Sequence, residues 1–159
     1  MREGKKSRSL FDDLGAINHY LGEEYKTKDF FVWLDSNDPT FAAGVFDIAE
    51  PALVKAKEYR LCGKYLNSNT SFERLVKLYG NIKEIAKTSK NSDSGKRLSD
   101  YADKSFSNGS ATLVALLVLN GRKDEADKIA SRAIDELDDP QFKAQLGTAK
   151  AGEVPPPWP

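Results

Sequence analysis

The chain has 159 residues, of which 40% are hydrophobic and 10% aromatic, and its 24 basic residues are balanced by 24 acidic ones. A chain of this length and composition can bury a core of its own, which excludes disorder of the whole chain. With a formal net charge of zero there is no overall positive field, so nucleic acid is not an expected partner.

Cysteine content and hydropathy together indicate the compartment. The single cysteine, Cys62, cannot form an intramolecular disulfide and has no second thiol for a zinc ribbon. The N-terminal stretch MREGKKSRSLFDDLG is basic but lacks the apolar run of roughly 7 to 15 residues of a secretory signal. The longest apolar run, LVALLVL, is too short to cross a bilayer. We therefore expect a cytoplasmic protein without a membrane partner, whose residues 1–9 form a flexible basic N-terminus.

Helical periodicity runs through most of residues 10–150, which predicts a single all-α domain of about seven to nine helices. A first helix is indicated by four apolar residues at helical spacing: Leu10, Leu14, Ile17 and Leu21. Gly22 is expected to end it.

Two short helices are predicted next, near 28–35 and 39–48. Asp38-Pro39 separates them, because proline suits the first turn of a helix, where its missing N–H would have no partner. Pro51 is expected to open a further helix. Its apolar stripe would consist of Leu53, Ala56, Tyr59, Cys62 and Tyr65.

The clearest helix of the N-terminal half follows the break NSNTS, with Thr70 or Ser71 as its N-cap. Its wide apolar face contains Phe72, Leu75, Val76, Tyr79, Ile82 and Ala86. The polar segment 88–95 (TSKNSDSG) is predicted to be a loop.

A further helix is expected to turn four residues inward: Leu98, Tyr101, Ala102 and Phe106. The segment 107–110 either ends this helix or lets it continue, with a kink, into ATLVALLVLN. That last stretch is apolar nearly all round, which predicts a central, buried position.

The segment 120–140 (NGRKDEADKIASRAIDELDDP) reads as the second half of a helical hairpin. Gly121 is expected to close the preceding helix. The packing face contains Ala126, Ile129, Ala130, Ala133, Ile134 and Leu137. Three of these residues are alanine, and small residues let a neighbouring helix approach closely.

A resemblance follows from these residues. Over residues 110–140 the chain resembles a tetratricopeptide repeat, on Leu117, Gly121, Ala126, Ala130, Ala133 and Pro140. A poorer match over residues 52–87 rests on Gly63, Leu66, Leu75, Tyr79 and Ile82. The resemblance implies irregular antiparallel helix pairs in a tetratricopeptide-like right-handed helical stack. It also implies a groove that binds a protein or peptide partner.

No catalytic motif is recognised: the sequence has no glycine-rich phosphate loop, GxSxG elbow or HExxH pair. His19 is the only histidine, and with Glu23 it is expected to form a surface pair rather than part of a metal site. Cys62 lies in an apolar stripe, so a small buried hydrophobe is expected rather than a nucleophile. We therefore predict no enzyme activity, no metal and no cofactor.

Candidate binding residues are of two kinds. Lys83, Lys87 and Lys90 form a row that could bind an acidic partner. In the C-terminal strap, residues 151–159, three consecutive prolines favour polyproline II, and Trp158 either anchors a partner or folds back onto the last helices.

Phe30, Phe31 and Trp33 are expected in the core or as capping residues, unless joint exposure marks an interface. The function most consistent with these features is protein–protein interaction, as a scaffold with a helical-repeat groove. The alternatives are a helical accessory domain of a larger enzyme and a structural oligomerisation module. The sequence does not specify the oligomeric state.

Overall fold

The computed structural model describes residues 24–89 and 91–156, with side chains from Lys26 onward. These residues form seven helices and no strand. The helices are α1 (Glu24–Asn37), α2 (Pro39–Lys55), α3 (Tyr59–Tyr65), α4 (Ser68–Thr88), α5 (Ser92–Leu119), α6 (Lys123–Glu136) and α7 (Pro140–Lys150). The predicted all-α class is confirmed for this part of the chain. The basic residues 1–9, the predicted helix over residues 10–21 and His19 lie outside the described residues.

The chain divides into two compact units, Met1–Tyr65 and Leu66–Pro159. Helices α1 to α3 belong to the first unit and helices α4 to α7 to the second. The single domain over residues 10–150 stays a prediction, because compactness alone does not decide whether two parts fold separately.

In the first unit, Asp38 separates α1 from α2 as predicted. Its backbone N–H still donates to the Leu34 carbonyl of α1 (2.7 Å), while its carboxylate accepts the Phe41 N–H at the start of α2 (3.1 Å). Pro39 occupies the first turn, where its missing N–H leaves no hydrogen bond unmade. The core nearby contains the rings of Phe31, Phe46 and Tyr65, whose centroids lie 5.5 to 6.0 Å apart.

Pro51 lies inside α2, so the prediction that it opens a new helix was wrong. An interior proline costs about 3 kcal/mol in an isolated helix. Here the residues that follow, Ala52 and Leu53, are buried, and their packing favours continued helix. The helix ends after Lys55, where Lys57 takes a left-handed φ of 60° and the Glu58 N–H donates to the Leu53 carbonyl (2.9 Å). The predicted stripe is therefore divided between α2 and α3.

In the second unit, an asparagine side chain caps the N-terminus of each of the two helices α4 and α5. Asn67 caps α4 by accepting the Thr70 N–H (3.0 Å), so Thr70 and Ser71 lie inside the helix rather than at its cap. Asn91 caps α5 by accepting the Asp93 and Ser94 N–H groups (2.9 and 3.3 Å). The predicted loop over 88–95 was therefore wrong for residues 92–95, which form the first turn of α5.

Helix α5 runs unbroken for 28 residues, which decides the question left open at residues 107–110 in favour of continuation. The Ser107 hydroxyl donates to the Asp103 carbonyl one turn earlier (2.6 Å) and so does not compete for the helix's own N–H groups. The five residues 113–117 are all buried. The prediction that this apolar stretch lies centrally is confirmed.

The turn between α5 and α6 is also as predicted. Gly121 has a φ of 73°, and the Arg122 N–H donates to the Leu117 carbonyl (2.8 Å), which closes α5. Four residues of the predicted packing face of α6 are buried: Ala126, Ile129, Ala130 and Ala133. Ile134 and Leu137 are partly buried.

Aromatic packing in the second unit centres on Phe106 of α5. Its ring centroid lies 6.0 Å from that of Phe72, 4.7 Å from that of Tyr79 and 5.9 Å from that of Phe142. These three rings come from α4 and α7, so one side chain joins three helices.

Candidate functional site

Besides Leu119 (44%), the last residue of α5, three large apolar side chains of the α4–α5 pair are about half exposed: Leu78 (50%), Ile85 (57%) and Tyr101 (48%). Leu78 and Ile85 are seven residues apart on α4 and therefore share one side of that helix. Together with the partly buried Leu75, Ile82 and Leu98, these residues are called the α4–α5 stripe below.

The two helices run antiparallel, as the contacts along their length show. The Tyr79 hydroxyl donates to Asp103 Oδ1 (2.8 Å), and further along α4 the Lys83 ammonium donates to Ser99 Oγ (2.6 Å). Near the end of α4, the backbone of Gly95 approaches so closely that a Cβ there would lie 2.8 Å from the Ala86 carbonyl oxygen.

The stripe lies on the side of this pair away from the polar contacts. Successive helical residues differ by about 100° in direction, so Tyr101 and Asp103 point about 160° apart, and Leu78 and Lys83 about 140° apart. Phe72 and Phe106, which contact each other within the core, are on the Asp103 side. The stripe is therefore an outward surface of the second unit.

Tyr101 corrects the sequence analysis, which placed it inward with Ala102 and Phe106. Those two residues are buried, whereas Tyr101 is not. The apolar pattern of α5 spans more of the helix surface than α4 covers, and α4 packs along the side that contains Ala102.

Basic residues border the stripe. Arg97 and Lys104 precede and follow Tyr101 by about one helical turn, and Arg74 precedes Leu78 by one turn. All three of these basic residues are exposed. Asp100 is exposed three residues after Arg97 and four before Lys104, and it lines one groove together with Lys104 and Asp103. The border of the apolar surface therefore carries charges of both signs.

The predicted lysine row is placed as follows. The Lys83 ammonium lies 3.0 Å from Asp103 Oδ1 and 5.6 Å from the Tyr79 ring centroid, so it already has an acidic partner within the chain. Lys87 is exposed, with its ammonium 3.8 Å from Glu84 Oε1. Lys90 lies outside the described residues. Binding of an acidic partner by this row stays a prediction.

The predicted aromatic cluster divides between core and surface within the first unit. Phe31 is fully buried, whereas Trp33 is 56% exposed. Phe30 is partly buried and stacks parallel to Trp33, with a centroid separation of 6.1 Å. The expected core role is met by Phe31, and Trp33 instead presents its ring to solvent.

The strap runs back along α5 as far as the structure describes it. The Pro156 carbonyl accepts a hydrogen bond from Asn108 Nδ2 (2.9 Å). A groove of about 490 Å³ adjoins Pro156 and is lined largely by polar side chains of α5 and α7. Trp158 lies outside the described residues.

A partly exposed ion pair between Arg122 and Glu125 connects the start of α6 to the start of α4. Arg122 forms a two-point contact with Glu125 (2.6 and 2.7 Å), and the Ser68 hydroxyl donates to the same carboxylate (2.8 Å). Arg122 also donates to the Leu66 carbonyl (3.0 Å). The Arg122 guanidinium and the Ser68 hydroxyl lower the pKa of Glu125 to about 2, from an ordinary value of 4.5.

This ion pair gives a pH-dependent prediction for Glu125→Gln. Because the folded-state pKa of Glu125 is depressed, the carboxylate adds stability above about pH 4.5, and that stability is lost as the pH falls toward 2. The carboxylate is 42% exposed, so solvent screening reduces the contribution to about 1 kcal/mol. We expect Glu125→Gln to lower the free energy of urea unfolding by that amount at neutral pH, and the deficit to shrink as the pH falls below about 4.

The control is Asp124→Asn, at an exposed position one residue earlier. This variant should change the free energy of unfolding by only about 0.3 kcal/mol. A Glu125→Gln deficit that stays constant down to about pH 2.5 would show that the side chain acts through packing and not through its charge.

Sequence analysis missed Leu78 and Ile85. A signal was present: α4 carries apolar residues along two neighbouring lines, one through Phe72 and Tyr79 and one through Leu78 and Ile85. An apolar surface this wide exceeds what one neighbouring helix can cover.

Within residues 24–89 and 91–156, no group of three or more histidine, cysteine, aspartate or glutamate residues could hold a metal ion. Cys62 is fully buried, as predicted, and burial raises the pKa of its thiol to about 12. No helix in the described part of the chain is both long and apolar enough to cross a membrane. No family model, curated protein or solved structure matches this chain.

Proposed function

We propose that this chain is a protein-binding module whose contact surface is the α4–α5 stripe. The observation that carries the proposal is the grouping of three half-exposed large apolar side chains on one side of a helical pair. Contiguous apolar surface with a polar rim is typical of interaction sites. Covering the exposed parts of three such side chains would favour association by about 1 kcal/mol each.

The stack we propose for the second unit is an irregular set of antiparallel helix pairs similar to tetratricopeptide repeats. The tight turn at Gly121 and the small-residue face of α6 support it. Its helices differ in length from that pattern, since α5 alone has 28 residues and a repeat of about 34 residues contains two helices.

Affinity capture with stripe variants tests the proposal. The full chain and the double variant Leu78→Asn/Ile85→Asn would serve as baits in lysate of the source cells. We expect a protein that the full chain retains to be lost with the double variant. Both positions are exposed, so circular dichroism should show unchanged helix content.

The matched control is Leu119→Asn, which removes a leucine of similar exposure (44%) at the far end of α5. This variant should retain the partner. Equal retention by all three baits would remove the stripe as the contact surface, and failure of every bait to retain a protein would overturn the proposed function.

A further inference from the structure

We propose that the groove between α5 and α7 is a binding site for the strap of the same chain, and that Trp158 occupies it. This α5–α7 groove is separate from the α4–α5 stripe, so the inference does not rest on the proposed function. Three observations carry it: the path of the strap along α5, the position of the groove ahead of that path, and the chemistry of the lining side chains.

The path of the strap is defined by two contacts with α5. After α7, Gly152 takes a left-handed φ of 88°, and a Cβ there would lie 3.3 Å from Leu119 Cδ2, at the end of α5. Four residues later, the Pro156 carbonyl accepts the hydrogen bond from Asn108 Nδ2 (2.9 Å). Between these two contacts, residues 154–155 are partly buried. The strap therefore runs along α5 from its last residue toward its start.

The α5–α7 groove lies directly ahead of Pro156. On α5 it is lined by residues between Asp100 and Asn108, so the contact of Asn108 with Pro156 marks one end of it. A proline-rich segment extends by about 3.1 Å per residue, and a helix rises by about 1.5 Å per residue. Two residues of the strap therefore span about four residues of α5, which brings Trp158 to the level of Lys104. Lys104 is one of the side chains that line the groove.

The lining of the groove suits a proline-rich segment. Proline has no N–H group, so such a segment presents carbonyl oxygens that need donors from the surface that binds it. Asn108 already supplies one donor to the strap. The amides of Gln141 and Gln145, on α7, line the same groove and can supply further donors.

The same groove offers contacts for the indole of Trp158. The Asp100 carboxylate can accept the indole N–H, and the Lys104 ammonium can lie over the ring. The partly buried Leu137 adds apolar surface. The groove has a volume of about 490 Å³, within the range of about 300 to 1,000 Å³ of sites that bury about 70% or more of a ligand.

The strap of the same chain has an advantage over any other occupant, because its hydrogen bond with Asn108 already holds it at one end of the groove. A short tether gives a local concentration of about 1 mM, which a separate peptide or the strap of a second copy would have to match in solution. The chain therefore binds its own proline–tryptophan segment and withholds it from proteins that recognise proline-rich sequences.

Fluorescence of Trp158 tests the inference in the full chain. The chain has two tryptophans, and Trp33 is 56% exposed, so Trp33→Phe leaves Trp158 as the single reporter with little effect on folding. Acrylamide quenching of this reporter is compared with that of a free peptide of residues 150–159. We expect a quenching constant roughly threefold lower in the chain, because a site of this class leaves at most about a third of its ligand exposed.

Substitutions in the groove identify where Trp158 is protected. In the Trp33→Phe chain, Asn108→Ala/Lys104→Ala should weaken docking of the strap roughly tenfold and raise the quenching constant toward that of the peptide. The matched control is Asn81→Ala/Lys77→Ala, the same pair of changes at the same spacing on exposed positions of α4, and it should leave quenching unchanged. Alanine favours helix, so circular dichroism should show retained helix content in both variants.

Each contrary outcome contradicts a distinct part of the inference. Quenching as fast as that of the peptide would overturn docking of the strap altogether. Protection that persists in Asn108→Ala/Lys104→Ala would overturn the α5–α7 groove as the site. Protection that increases between about 1 and 100 µM chain would assign the occupant to a second copy and overturn the contact within one chain. The capture experiment with Leu78→Asn/Ile85→Asn decides the proposed function separately, because neither residue lines this groove.

Discussion

Phe106→Ala is expected to lower the free energy of unfolding of the second unit by about 4 kcal/mol. The side chain is only 2% exposed, and its ring contacts rings from α4 and α7. Removing it leaves a cavity that two separate helices would have to close, and each lost ring pair adds about 0.5 to 1.5 kcal/mol. Urea unfolding followed by far-ultraviolet circular dichroism measures the change.

Tyr101→Ala is the matched control, since it removes an aromatic side chain from the same helix, five residues earlier, at a half-exposed position. We expect a loss under about 1 kcal/mol. A loss as large as that of Phe106→Ala would mean that Tyr101 is part of the core, which would also contradict its place in the stripe. A loss under about 1 kcal/mol for Phe106→Ala would show that the three-helix contact contributes little.

Gly95→Ala is expected to destabilise the second unit by about 2 kcal/mol. A Cβ at this position would lie 2.8 Å from the Ala86 carbonyl oxygen, which belongs to the backbone of α4 and cannot rotate away. The α4 and α5 backbones would have to separate at this position. The melting temperature of the full chain should fall accordingly.

Gly80→Ala provides the contrast. Gly80 also lies inside a helix, but a Cβ there would meet nothing within 4 Å. Alanine is more favourable than glycine in a helix by about 0.5 to 1 kcal/mol, so this variant should raise the melting temperature. Equal effects of the two substitutions would show that helix propensity, and not the approach of α4 and α5, governs both sites.

These variants also bear on the proposed binding surface. The stripe depends on α4 and α5 lying side by side, because Leu78 and Ile85 come from one helix and Tyr101 from the other. Gly95→Ala should therefore weaken partner binding, whereas Gly80→Ala should leave it unchanged. In contrast, Leu78→Asn/Ile85→Asn should remove binding with little effect on stability, since both side chains are exposed.

The sequence was sufficient to predict helix starts and ends where the chemistry of a single residue determines the local backbone conformation. Asp38-Pro39 starts a helix because aspartate accepts the first free N–H groups and proline needs none. Gly121 ends one because the left-handed conformation is open to glycine without strain. The all-α class and the buried small-residue face of α6 likewise follow from periodicity alone.

Other features depended on packing between segments distant in sequence. The chemistry of proline predicts that Pro51 interrupts a helix. Helix α2 nevertheless continues through it, because the residues that follow, Ala52 and Leu53, are buried. Residues 92–95 look like a loop, yet they form a helical turn because Asn91 caps it and Gly95 allows α5 to approach α4.

The candidate site is one of the features that depended on packing between distant segments. The sequence by itself determined that α4 and α5 carry more apolar surface than a single contact needs. Only the tertiary structure decided which part of that surface is left exposed, because the side of α4 and α5 nearer Phe106 is covered by their contact with each other, with α6 and, for α5, also with α7. Leu78, Ile85 and Tyr101 remain outside that contact, and a periodic pattern cannot distinguish the covered side of a helix from the uncovered one.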